Sequence, residues 1–300
     1  MPRVIDVGLR EPCALQECIA ALDKSKFDPS DEDSLLSAAG WLARLGQNKS
    51  FLGDMIVNEL RDRHKASDAG NAYGPQVIML SQPNGEYFMR ANLWPSPCEH
   101  TYRASGGASF VYDVPHDHNF DFLTVGYFGP GYESDYYEYD FAAIDGYRGE
   151  KAGLRFIERS ALGEGKIMHY RAHRDVHRQL PPKSLSVSLN IMKSDPAKGW
   201  LDQYRFDVEK DEIAGILSPG SGEIFLRCAV GFGGEEAIDL AQRFGKSHPS
   251  DRMRLACYEA RAGLACEPAI QDDLWRDAEQ SGSRMVMMEA RARRAELAKR

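Results

Sequence analysis

The stretch from Tyr73 to Val208 constrains the fold more than any other part of the chain. It is a succession of short runs, at 77–80, 87–90, 109–114, 120–127, 136–141, 154–159, 166–170, 185–192 and 203–208, rich in β-branched and aromatic residues and separated by Gly, Pro, Asp and Asn. Pro83-Asn84-Gly85 between the first two runs has the chemistry of a hairpin turn. No helical period interrupts the series, so the apolar faces must be buried sheet on sheet. A sandwich or barrel follows, and a jelly roll is the commonest such arrangement that also hosts a metal.

Both ends read differently. Leu15, Ile19 and Leu22 share one helical face, Ser30 is placed to cap a second helix carrying Leu35, Leu36, Ala39, Leu42 and Leu45, and a third covers 51–64. After the turn-rich Ser218-Pro219-Gly220-Ser221-Gly222, helices are expected at 224–230, 235–244, 251–262 and in a last segment to the C-terminus. The fold class is therefore α+β: a helical segment at 1–70, a β-barrel at 73–215 and a second helical segment at 222–300.

A formal charge of −8, with basic residues massed only in the final ARARRAELAKR, argues against a nucleic-acid partner. That basic end reads as a solvated tail whose cations suit a helix C-terminus. No run reaches the eighteen or so apolar residues of a membrane span, and MPRVIDVGLREPC lacks the apolar core of a secretory signal, so a cytoplasmic location is expected. Six cysteines without a Cys-x-x-Cys pair signal neither a zinc ribbon nor a redox dithiol and are expected to be reduced.

Within the β-region, Pro115-His116-Asp117-His118 offers two imidazoles separated by one residue. On an extended segment they point the same way, toward one point in space. His169, His173 and His177, spaced by four, compete for the place of a third ligand, with Asp121 available as a carboxylate ligand or as a group that orients a histidine. Asp117 points away from the pair in a regular strand, which argues against the His-x-Asp ligand set of 2-oxoglutarate oxygenases.

Pro115-His116-Asp117-His118 leading into Phe122-Leu123-Thr124-Val125-Gly126 resembles the first cupin motif. His177-Arg178-Gln179-Leu180-Pro181-Pro182, followed by Leu185-Ser186-Val187-Ser188-Leu189, resembles the second, a lone histidine before an apolar strand. The resemblance spans Tyr73 to Val208. It implies His177 as the third ligand, with His173 as substitute. Where many cupins place a glutamate after the pair this chain has Phe122 and Leu123, which implies a three-histidine set distantly like that of thiol dioxygenases. No counterpart of their serine, histidine and tyrosine relay follows.

Three imidazoles suit Fe(II), Zn, Mn, Ni or Cu and leave coordination positions open, as a catalyst requires. The three-histidine likeness implies Fe(II) and a non-haem oxygenase acting on a small polar organic molecule. Arg90 and Arg103, read as lying on strands before the ligands, are candidates to grip a substrate carboxylate or phosphate. Tyr127, in the aromatic run with Tyr136, Tyr137 and Tyr139, is the candidate proton donor. The alternative is a non-catalytic ligand-binding cupin whose helical ends contact a protein partner or a second copy of the chain.

Overall fold

The computed structural model describes residues 1–62 and 76–299, which form two compact units. His64, the expected end of the third helix, and Tyr73, the expected start of the β-region, lie outside the described residues.

The first unit comprises residues 1–140 and 154–198. It opens with strand β1 (Arg3–Ile5) and helices α1 (Leu15–Ser25), α2 (Glu32–Gln47) and α3 (Phe51–Asp62). Strands β2 (Val77–Met79) and β3 (Tyr87–Trp94), the short helix α4 (His100–Ser105), and strands β4 (Phe122–Phe128) and β5 (Glu133–Glu138) follow. The unit is completed by β6 (Arg155–Ala161), β7 (Ile167–Tyr170), β8 (Asp175–Leu180) and β9 (Ser186–Lys193).

Strand pairing is antiparallel throughout and gives a six-stranded sheet in the order β1-β7-β4-β9-β3-β2 and a three-stranded sheet in the order β6-β5-β8. Alternation along the strands assigns each face of the larger sheet to a different core. Leu123, Val125, Met89, Leu189 and Ile191 turn toward Leu22, Leu35, Ala39 and Leu42 of α1 and α2. The intervening Phe122, Trp94 and Met192 turn the other way and meet Tyr136 of the smaller sheet. The unit is thus three layers: helices, six strands, three strands. Asp31 explains the start of α2, because its carboxylate accepts from the Asp33 amide and satisfies an otherwise unpaired donor of the first turn.

Two expectations are corrected. Among the described residues the strands form separate sheets rather than a closed barrel, and 109–114 is a 3-10 turn, Gly107–Phe110, followed by left-handed Val111 and Asp113. The division into units also differs from the three segments expected: the N-terminal helices share a core with the sheet and belong to its unit.

The second unit comprises residues 141–153 and 199–300. The hairpin β10 (Tyr204–Asp207) and β11 (Glu212–Ile216) precedes α5 (Ser221–Gly231), α6 (Glu235–Ser247), α7 (Asp251–Leu264), α8 (Pro268–Glu279) and α9 (Arg284–Leu297). Leu226, Val230 and Ala241 pack on Ala256 and Cys257 of α7. The opposite side of α7 offers Tyr258 to Trp275 and Val286. Ser250 and Ser283 cap α7 and α9 by accepting from Met253 and Val286 amides. The cysteines are free thiols, and no described helix is long and apolar enough to cross a membrane.

Candidate metal centre

His116 and His118 do not sit in a named strand. Pro115 brings no N–H, so a regular ladder fails there, and a single antiparallel bridge remains: His116 and His177 exchange both backbone bonds, at 3.0 and 2.9 Å. The Asp113 amide donates to the Gln179 carbonyl and the His173 amide to the His118 carbonyl, so the 114–118 segment, beyond left-handed Asp113, runs alongside β8. Both imidazoles of the His-x-His pair therefore turn to one side, and His177, mid-strand in β8, joins them from below.

The three ligand nitrogens lie within 4.8 Å of one another, and all three side chains are buried. Nε2 of His177 is 3.1 Å from Nε2 of His118 and 3.2 Å from Nε2 of His116. At a metal–nitrogen distance of about 2.1 Å, right-angled ligands stand about 3.0 Å apart and tetrahedral ones about 3.4 Å. The two edges fall between these values. Nδ1 of His116 is 2.7 Å from the Val114 carbonyl, which can only accept, so that nitrogen carries the proton and Nε2 keeps its lone pair toward the cluster.

Burial lowers the pKa of all three imidazoles. At His118 the neighbouring His116, His177 and Arg90 lower it further, and at His177 His116 does the same, whereas the Val114 carbonyl partly offsets burial at His116. Neutral imidazoles with convergent lone pairs repel one another and need a cation or a proton between them. The donor set fits a divalent ion.

Aromatic side chains line the surroundings. The His118 ring lies 5.1 Å from Phe120 and 4.9 Å from Phe122, and the Tyr170 ring 5.0 Å from His177. Tyr170 stacks on Phe122 at 4.4 Å, and its hydroxyl is 3.0 Å from that of Tyr136 and bonded also to Tyr132. Burial, then the neighbouring tyrosines, raise the Tyr170 hydroxyl well above its ordinary pKa, so it stays protonated. Asp117, fully buried between the two histidines, turns away from them and accepts from the Tyr139 hydroxyl at 2.5 Å.

The other candidates separate clearly. Arg90 lies on β3 on the face toward the smaller sheet and its charge bears on His118 and Tyr132. Arg103 is on α4 rather than a strand, exposed, with Nε donating to the Pro97 carbonyl. Tyr127 faces the helices and donates to the Asn48 carbonyl at 2.8 Å, because it shares the odd-numbered face of β4 with Leu123 and Val125. Asp121 is on that same face, 3.2 Å from His169. His173 sits in the β7–β8 turn at φ 55°, outside the three-histidine cluster. Tyr170 and Tyr132 escaped the sequence reading, and for Tyr170 only the register that sets it opposite Phe122 shows which face it takes.

No family model and no curated protein matches the chain. Among solved structures, it is similar to the DMSP lyase DddQ of Ruegeria pomeroyi at 11% identity, over 65% of this chain and 78% of that one, with a TM-score of 0.23. A mannose-6-phosphate isomerase-like protein of Ralstonia eutropha gives 12% identity over 43% and 94%, with a TM-score of 0.20. RmlC of Streptococcus suis, solved with dTDP-D-xylose, gives 10% over 42% and 73%, with a TM-score of 0.18. Superpositions this loose assign neither fold nor chemistry, which rest on the sheets and the histidines themselves.

Proposed function

We propose that the chain is a metal-dependent enzyme of cupin type, in which His116, His118 and His177 hold one divalent ion, and that it acts as a non-haem Fe(II) oxygenase on a small polar organic molecule. The observation that carries this reading is the buried convergence of three imidazole nitrogens, two edges of which have the length that ligands of one ion require. A bound ion would supply a Lewis-acid centre with open coordination positions, which three ligands from one side leave available.

The chain's own residues do the rest. Burial keeps the imidazoles neutral, so they are ready to ligate near neutral pH. The rings of Phe120, Phe122 and Tyr170 limit water beside the histidines. The Tyr170 hydroxyl, held protonated, is a nearby group able to donate a hydrogen bond to a substrate oxygen. It replaces Tyr127 in that role. The test is oxygen uptake by anaerobically Fe(II)-loaded protein against a panel of small carboxylates and polyols. Turnover that falls on replacing His177 with Ala supports the reading; tight ligand binding without uptake would favour the non-catalytic binding protein instead.

A further inference from the structure

Helix α5 reverses the usual placement of charged and apolar side chains. Its two charged residues, Glu223 and Arg227, flank the buried Leu226 and Val230 and reach toward α7, where Glu223 lies 3.5 Å from Arg252 and Arg227 3.7 Å from Glu259. That leaves Ser221, Ile224, Phe225, Cys228, Ala229 and Phe232 exposed on the opposite face, Phe232 continuing the helical backbone one residue past the end. A surface helix turns its polar residues outward, and one that is apolar on both faces is buried on both.

Ile224, Phe225 and Phe232 are 57%, 68% and 89% exposed. With about 200 Å² for each phenylalanine and somewhat less for isoleucine, the three leave about 400 Å² of apolar surface on one face. Single exposed apolar side chains are ordinary, but a contiguous patch of this size marks a contact surface. It matches the apolar share, a little over half, of the roughly 800 Å² that each partner gives to a dimer of standard size.

We infer that this face is the contact between two copies of the chain, which pair through antiparallel α5 helices about a two-fold axis. The pattern is complementary to itself. Ser221, Phe225, Cys228 and Phe232 are spaced four, three and four residues apart, the spacing of a coiled-coil seam, and that spacing reads the same from either end. In an antiparallel pair, Phe232 falls against Ser221 of the second copy, Phe225 against Cys228 and Ile224 against Ala229, so each large side chain meets a small one, twice over. A membrane surface would call for basic residues beside the face, whereas Arg227 is already set against Glu259 and the exposed Glu235 and Glu236 open the next helix.

The test is sedimentation equilibrium of the full chain in reducing buffer. Self-association with a Kd of about 10 μM or tighter is expected. Phe225→Glu and Phe232→Glu should each weaken it about a hundredfold or more while keeping the parent far-UV circular dichroism, because both side chains face solvent within one chain. Leu9→Glu, at an exposed apolar side chain of the first unit, should leave it unchanged. In the antiparallel pair the two Cys228 are offset by about 4.5 Å along helices about 8–10 Å apart, so a short bismaleimide should join Cys228 to Cys228 ahead of the other exposed thiols, Cys98 and Cys266, as read by peptide mapping. A chain that stays monomeric at about 100 μM overturns the inference and leaves the face to a different protein. A dimer that persists in both glutamate variants, or one cross-linked only through Cys98 or Cys266, overturns it as well.

Discussion

At the scale of single residues, proton placement governs the site. The carbonyl of Val114 fixes the proton of His116 on Nδ1, and burial withholds further protons from all three imidazoles. The histidine pair was visible in sequence because an x between two ligands survives any extended backbone, regular strand or not. The tyrosines were not, since one aromatic side chain resembles another until register decides its face. Tyr127 is the instructive case: its hydroxyl serves Asn48 on the helical side. Tyr127→Phe should therefore leave metal content and turnover unchanged and lower stability by about 1 kcal/mol in urea unfolding. Tyr139→Phe removes a donor from the buried Asp117 carboxylate and should cost more, about 1.5–3 kcal/mol, since the bond is to a charged group. Equal losses in the two variants would contradict this ranking.

At the scale of elements, strands β3, β4, β7 and β9 were legible from their apolar runs, whereas β8, whose sequence DVHRQL is mostly polar, was not, although it carries His177. Its polar pattern follows from its neighbours: β8 pairs with β5, and Asp175 and Glu138 meet across that pair with Arg171. Burial by itself would raise the Glu138 carboxyl, but the Met1 amine and the Arg171 guanidinium outweigh it and hold the group at about 2. A depressed carboxylate stabilises fully above its unfolded value near 4.5, and that contribution is lost as pH falls toward about 2. The urea midpoint of Glu138→Gln should accordingly approach that of the parent between about pH 4.5 and about pH 3, and a gap that stays constant would refute the assignment. The β4–β5 turn makes a separate demand. Gly131 has φ 78°, and a Cβ there would run into the Leu162 carbonyl oxygen, so Gly131→Ala should destabilise by about 2 kcal/mol or more, read as a lower melting temperature.

At the scale of the molecule, helices, larger sheet and smaller sheet form three layers in the first unit, and the histidines belong to the smaller sheet and the segment bridged to it. The sequence could not reveal this layering, because whether the helices at 15–25 and 32–47 cover a sheet or stand apart depends on contacts between residues far apart in the chain. Its β-rich middle and helical ends were readable because those patterns are local. The central claim, that three histidines brought together by this layering bind one divalent ion, is tested most directly by elemental analysis of protein purified without added metal, beside His118→Ala. Near-stoichiometric metal, iron foremost, that is lost in the variant is the predicted result. Metal retained equally in His118→Ala, or none in the parent even after anaerobic Fe(II) addition, would contradict it.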